Sequence, residues 1–179
     1  MPVPIPIINQ MKKIIICLCL LILYRQSSAQ TDTLPHVLIK RSNGTKLYAS
    51  ELTNQGKPIL ISFWATWCKF CIAELSAISS QYQSWQDSTG VKLVAISTDA
   101  GVTEEYIKKF AERRNWPFEI YWDYKKSLKN SMGVQEIPHL LLVDASGRII
   151  WQKIGFNPGD DTIIFAKLRE LLLTQKIIK

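Results

Sequence analysis

Apolar residues fall along this chain in blocks whose period changes from one block to the next. Ile59 to Trp64 is a short apolar run headed by Pro58, and predicts a buried strand whose first residues need no donor from the proline. Beyond Cys71 the spacing becomes helical, with Ile72, Leu75, Ile78, Tyr82 and Trp85 on one face. That helix is expected to run to about Trp85, with Asp87-Ser88-Thr89-Gly90 ending it. Val91 to Ser97 reads as a second buried strand, and residues 103–114 as a helix presenting Tyr106, Ile107 and Phe110, stopped by Trp116-Pro117. Phe118 to Trp122 reads as a strand and Tyr124 to Met132 as a short helix before Gly133. His139–Val143 and Arg148–Ile154 form a hairpin across Ala145-Ser146-Gly147. A last helix, capped by Asp160 or Asp161, aligns Ile163, Ile164, Leu168, Leu171 and Leu172. Upstream, residues 36–40 and 45–48 flank Ser42-Asn43-Gly44, a strong hairpin turn signal. Strands alternating with helices predict an α/β domain with a parallel core.

With 179 residues and 47% hydrophobic content, the chain suits one domain plus a leader. Residues 1–10 carry no charge and three prolines, so Met11-Lys12-Lys13 is the more natural start. An apolar run of 11 residues from Ile14 to Tyr24 follows, and Ser27-Ser28-Ala29 supplies small residues for cleavage before Gln30. The run is short for a bilayer span. The expectation is therefore a signal peptide over 1–29 and a domain over 30–179, exported from the cytoplasm; only an uncleaved leader would tie it to a membrane. Ile16-Cys17 lacks the small residue expected before a lipidated cysteine. The net charge of +7 drops to +4 once Lys12, Lys13 and Arg25 leave, and so modest and scattered an excess does not point to nucleic acid. Cys17 and Cys19 leave too, so the mature chain keeps only Cys68 and Cys71.

Those two cysteines lie where the strand gives way to the helix. A sulfur at a helix N-terminus faces unpaired backbone N–H groups, so Cys68 should ionise easily. Cys71, one turn on, is placed to attack a mixed disulfide at Cys68, so the pair can exchange two electrons. Other uses of such a pair fit less well. A disulfide closing so short a loop restricts the unfolded chain little. Zinc would need two more ligands, with only His36 and His139 available besides carboxylates, and covalent haem would need a histidine where Ile72 stands. Glu74 falls close to the Cys71 face. It is either a solvated helix carboxylate or, if partly buried, a group with a raised pKa that moves protons for Cys71. Trp64 and Trp67 either simply pack or, for Trp67, also cover the pair and contact partners, while the spacers Lys69 and Phe70 tune it.

Phe63-Trp64-Ala65-Thr66-Trp67-Cys68-x-x-Cys71 with Glu74 resembles the active site of the extracytoplasmic TlpA/ResA branch of the thioredoxin superfamily. The similarity runs from about Leu38 to the C-terminal helix. It implies a thioredoxin-like fold: a central mixed sheet flanked by helices, extended by an N-terminal hairpin and by the strand and helix between about residues 91 and 114. It also implies thiol-disulfide exchange without cofactor or metal, with Cys68 attacking, Cys71 resolving and Glu74 handling the proton. Pro138 would be cis against the cysteine pair, with Ile137, Pro138 and Trp67 contacting substrate. Implied partners are protein thiols, including those of apocytochrome c, and a membrane thiol-disulfide electron donor; the protein itself is expected to be a monomer. Three residues depart from the branch. Phe70 and Ser76 stand where prolines are usual, the latter leaving the helix without its kink, and His139 follows Pro138 in what we read as a structural role. Two other readings are a peroxiredoxin-like peroxidase, against which Thr66 stands two rather than three residues before Cys68, and a thiol-dependent chaperone or metal-binding module.

Overall fold

The computed structural model describes residues 32–177, so the expected signal peptide lies outside the described residues. Seven strands, β1 (Leu38–Arg41), β2 (Lys46–Tyr48), β3 (Ile59–Trp64), β4 (Lys92–Ser97), β5 (Glu119–Trp122), β6 (His139–Val143) and β7 (Ile149–Ile154), form one sheet in the order β2-β1-β5-β4-β3-β6-β7. The helices are α1 (Lys69–Thr89), α2 (Glu104–Glu112), α3 (Ser127–Ser131) and α4 (Asp160–Ile177).

Every residue of β3 is buried, as its unbroken burial requires of a strand with neighbours on both edges and helices on both faces. It pairs in parallel with β4, from Ile59↔Lys92 to Trp64↔Ser97, and antiparallel with β6, from Ile59↔Val143 to Phe63↔His139. The period of two then divides the core. Leu60, Trp64, Leu93, Ala95, Leu140 and Leu142 pack against Leu75, Ile78 and Trp85 of α1, Phe110 of α2 and Leu168 of α4. Ile61, Phe63, Val94, Ile96 and Leu141 face the opposite layer, with Ile39, Leu128 and Met132. Trp64 meets Trp116 edge-on at 5.1 Å, closing the first layer around the end of β3.

The parallel core expected from the sequence is three strands wide, β3, β4 and β5; β1 and β6, which flank it, run against it, so the sheet is mixed. The segment over 91–114 contributes β4 to the middle of the sheet, and its helix leads on to β5. The N-terminal hairpin forms across Asn43-Gly44, with Gly44 at φ +86 as the turn requires. Two helix ends differ from expectation. α1 continues past Trp85 because the hydroxyls of Ser88 and Thr89 bond back to the carbonyls of Ser84 and Trp85, and only Gly90, at φ +68, turns the chain. α3 begins at Ser127 rather than Tyr124 because Lys126 is held left-handed ahead of it. At Ser76, exposed, α1 runs on uninterrupted.

Because β3, β4 and β5 are parallel and β6 is antiparallel to them, the ends of the first three and the start of the fourth meet at one edge of the sheet. That edge carries residues 65–68, 98–103, 123–126 and 137–138, and is where an open α/β sheet presents its chemistry.

Candidate active site

Chain geometry at the end of β3 is fixed by a buried carboxylate. Asp99 accepts the Thr66 N–H at 3.0 Å, the Thr66 hydroxyl at 2.8 Å and the Ser97 hydroxyl at 2.7 Å, while its own carbonyl accepts from Trp122 Nε1 at 3.0 Å. The turn that carries Trp67 and Cys68 is thereby tied to the end of β4. Cys68 then serves as N-cap of α1, its Sγ accepting the Cys71 N–H at 3.2 Å. A negative charge developing on this sulfur meets the positive end of a 21-residue helix.

Cys68 and Cys71 are joined by a disulfide, with Cα atoms 5.3 Å apart. Their exposure is unequal: Cys68 keeps 7% of its surface and Cys71 none. Only the first sulfur can be reached by a partner without opening the helix. The Ile137–Pro138 peptide is cis, as the resemblance implied, and the Ile137 carbonyl oxygen lies 3.8 Å from Cys68 Sγ. Trp67 and Phe70 stand 71% and 66% exposed on either side of this sulfur, with Lys69 exposed between them. The accessible sulfur is thus set in an apolar rim of a kind that docks partners.

Glu74 is fully buried, which removes the solvated reading. Ser62, facing α1 from β3, donates its hydroxyl to Glu74 Oε1 at 2.7 Å, and Oε2 is buried without a hydrogen-bond partner. Burial pushes the Glu74 carboxyl up to about 7, against smaller downward pulls from the Ser62 hydrogen bond and the Lys153 charge; the Asp160 charge adds to the rise. A carboxyl near 7 is ionised about half the time at neutral pH and can both take and give a proton. His139 is buried, pairs through Nε2 with Gln152 at 3.0 Å, and is held below the usual imidazole range by its burial, in keeping with a structural role.

The structure therefore gathers Trp67, Cys68, Lys69, Phe70, Cys71, Glu74, Ile137 and Pro138 in one place. It adds Ser62, Asp99, Lys153 and Asp160, which the sequence reading did not assign to the site. Asp160 was expected at most as a cap. It is instead the first residue of α4, and its carboxylate takes the Lys153 ammonium and the Asn157 N–H, both at 2.6 Å. Among the described residues no cluster of three or more His, Cys, Asp or Glu side chains could hold a metal ion.

Comparison with known proteins agrees with this geometry. Residues 31–152 match the AhpC/TSA family. The thiol-disulfide oxidoreductase ResA of Bacillus thuringiensis is 28% identical over 121 residues, 68% of this chain and 67% of that one. A thioredoxin-like protein of Porphyromonas gingivalis is 39% identical and superimposes with a TM-score of 0.70 over 77% of this chain and 90% of its own. StoA of Bacillus subtilis is 25% identical, with a TM-score of 0.57 over 74% of this chain and 99% of that one. By these matches the chain belongs to the AhpC/TSA family, and it is a thioredoxin-like, ResA-like thiol-disulfide oxidoreductase.

Proposed function

We propose that the protein works outside the cytoplasm as a protein-disulfide reductase, in which Cys68 is the attacking thiol, Cys71 the resolving thiol and Glu74 the proton carrier. The observation that carries this reading is the ordering of exposure, with Cys68 at the surface beside the Ile137 carbonyl and Cys71 and Glu74 sealed behind it. In the reduced enzyme the Cys68 thiolate attacks a substrate disulfide. A Cys68–substrate bond forms, and the other substrate sulfur leaves as a thiolate. Cys71 gives its proton to the Glu74 carboxylate and attacks Cys68 Sγ. The mixed disulfide breaks, the second substrate sulfur leaves, and two electrons have passed from the enzyme pair to the substrate. Helix polarity favours the thiolate at Cys68, while burial holds Glu74 near the pH at which proton transfer runs both ways.

Trp67, Ile137 and Pro138 form the wall against which a polypeptide docks, and Lys69 and Phe70 set the potential. In this reading the segment over residues 1–29 directs export and is removed. The domain then acts as a monomer, refilled by a membrane thiol-disulfide carrier, and its substrates include apocytochrome c thiols. Among the described residues no helix is long and apolar enough to cross a membrane.

Trapping tests the assignment. Cys71→Ser should accumulate a mixed disulfide with an oxidised peptide at Cys68, and Cys68→Ser should accumulate none. Trapping at Cys71 instead would overturn the roles. Rapid peroxide consumption by the reduced protein, lost on Cys68→Ser, would replace the reading with a peroxidase. The Thr66 hydroxyl speaks against that outcome, because it is committed to Asp99.

A further inference from the structure

The protonation of a buried carboxyl with one unpartnered oxygen is set first by burial and then responds to any charge nearby. The sheet register supplies one. Ser62, Leu140 and Lys153 are successive cross-strand partners on β3, β6 and β7. Side chains in one such row share a face of the sheet, so Lys153 emerges on the face that bears Ser62, beneath α1 and α4. Those helices lie side by side at a constant offset: Gln81 donates to Asp161 at 2.6 Å, and Trp85 stacks on Phe165 at 5.4 Å. About two turns back along α1 from Gln81, Glu74 meets Ser62, and the cross-strand row through Ser62 and Leu140 ends on Lys153 of β7. There Lys153 Nζ donates to Asp160 Oδ2 at 2.6 Å and to the Gly155 carbonyl at 2.8 Å, its side chain 17% exposed and that of Asp160 12%. These two partners use two of its three donors.

We propose that Lys153 and Asp160 are positioning residues for the exchange reaction: the Lys153 ammonium favours the Glu74 carboxylate, and Asp160 opposes it by holding that ammonium and by its own charge. The inference rests on Glu74 carrying the Cys71 proton. Among the described residues, the groups that act on the Glu74 carboxyl are the Ser62 hydroxyl from β3, Lys153 from β7 and Asp160 from α4, with Cys71 three residues before it on its own helix. Of these, only Lys153 and Asp160 carry full charges, and they act on Glu74 in opposite directions. The ion pair lies at the rim while Glu74 lies within, so it sets the proton-binding strength of the site without touching the reacting sulfurs.

The test is the pH profile of single-turnover disulfide reduction by the full chain, comparing Lys153→Met, Lys153→Arg and Asp160→Asn in the wild-type and Glu74→Gln backgrounds. Lys153→Met should move the Glu74 limb up by about one pH unit, slowing the reaction at pH 7 about five-fold. Asp160→Asn should move it down, and Lys153→Arg should leave it near the wild-type position. Neither displacement should survive in the Glu74→Gln background. Should Lys153→Met fail to fold, Lys153→Gln followed by the infrared carboxyl band of Glu74 against pH gives the same decision. Displacements of equal sign, or none, while Glu74→Gln still abolishes the limb, would overturn this inference and leave proton handling by Glu74 intact. A Glu74→Gln profile identical to wild type would remove the proton carrier itself, and the inference with it.

Discussion

Replacing Glu74 with glutamine keeps the shape of the side chain and removes one ionisation, so its effect on stability should depend on pH in a calculable way. The carboxyl moves from an ordinary 4.5 to about 7 on folding, chiefly because burial penalises the charge. Between those values the folded protein binds more protons than the unfolded chain. The stability contributed by the neutral acid is therefore fully present below the unfolded value and is lost as pH rises through the folded one. A displacement of this size corresponds to about 3 kcal/mol between pH 4 and pH 8. At pH 4 the acid and the amide both place a donor near the site of the unpartnered Oε2, so Glu74→Gln should be close to neutral. At pH 8 the wild type buries a carboxylate and the variant does not, so the variant should be more stable by about 3 kcal/mol. Urea unfolding of the oxidised proteins at the two pH values reads this directly. Equal stability differences at pH 4 and pH 8 would refute the reasoning, because they would mean that Glu74 does not change its proton affinity on folding.

Removing the other polar contact should act on the same group: Ser62→Ala strips Glu74 Oε1 of its hydrogen bond, and the Glu74 limb of the pH-rate profile should rise by about one unit. Asp99→Ala leaves the Thr66 N–H and hydroxyl and the Ser97 hydroxyl without their acceptor, so thermal or urea unfolding should show a loss of about 3 kcal/mol. Trp67→Ala removes an exposed side chain, so stability should change by no more than about 0.5 kcal/mol, whereas KM for a peptide disulfide should rise several-fold. An unchanged KM would take Trp67 out of the docking surface.

What could be read from the sequence was what depends on neighbours along the chain. Ile59–Trp64 and His139–Val143 have the bounds their apolar runs suggest, because continuous burial leaves no other pattern for a central strand. Cys68, Cys71 and Glu74 fall within one helical turn or two, so their common face followed from helical spacing. The partners that complete the site come from afar: Ser62 is 12 residues from Glu74, Asp99 is 33 from Thr66, and Ile137 is 69 from Cys68. Spacing cannot bring such pairs together. Ile137 and Pro138 were legible only through resemblance. Ser62 did leave a trace, as a lone hydroxyl inside an apolar strand that must bond to something on the layer above it. Lys153 and Asp160 left none, since a lysine on an edge strand and an aspartate opening a helix are ordinary in those places.

The central claim is that Cys68 and Cys71 form a working redox pair, and its most direct test is a titration of the purified protein in thiol-disulfide buffers, with free thiols counted by alkylation and intact mass. A reversible two-electron transition, absent in Cys68→Ser and in Cys71→Ser, is the result expected, and a strongly reducing midpoint would fit a reductase. A pair that stays oxidised or reduced across the whole range of buffers would contradict the account.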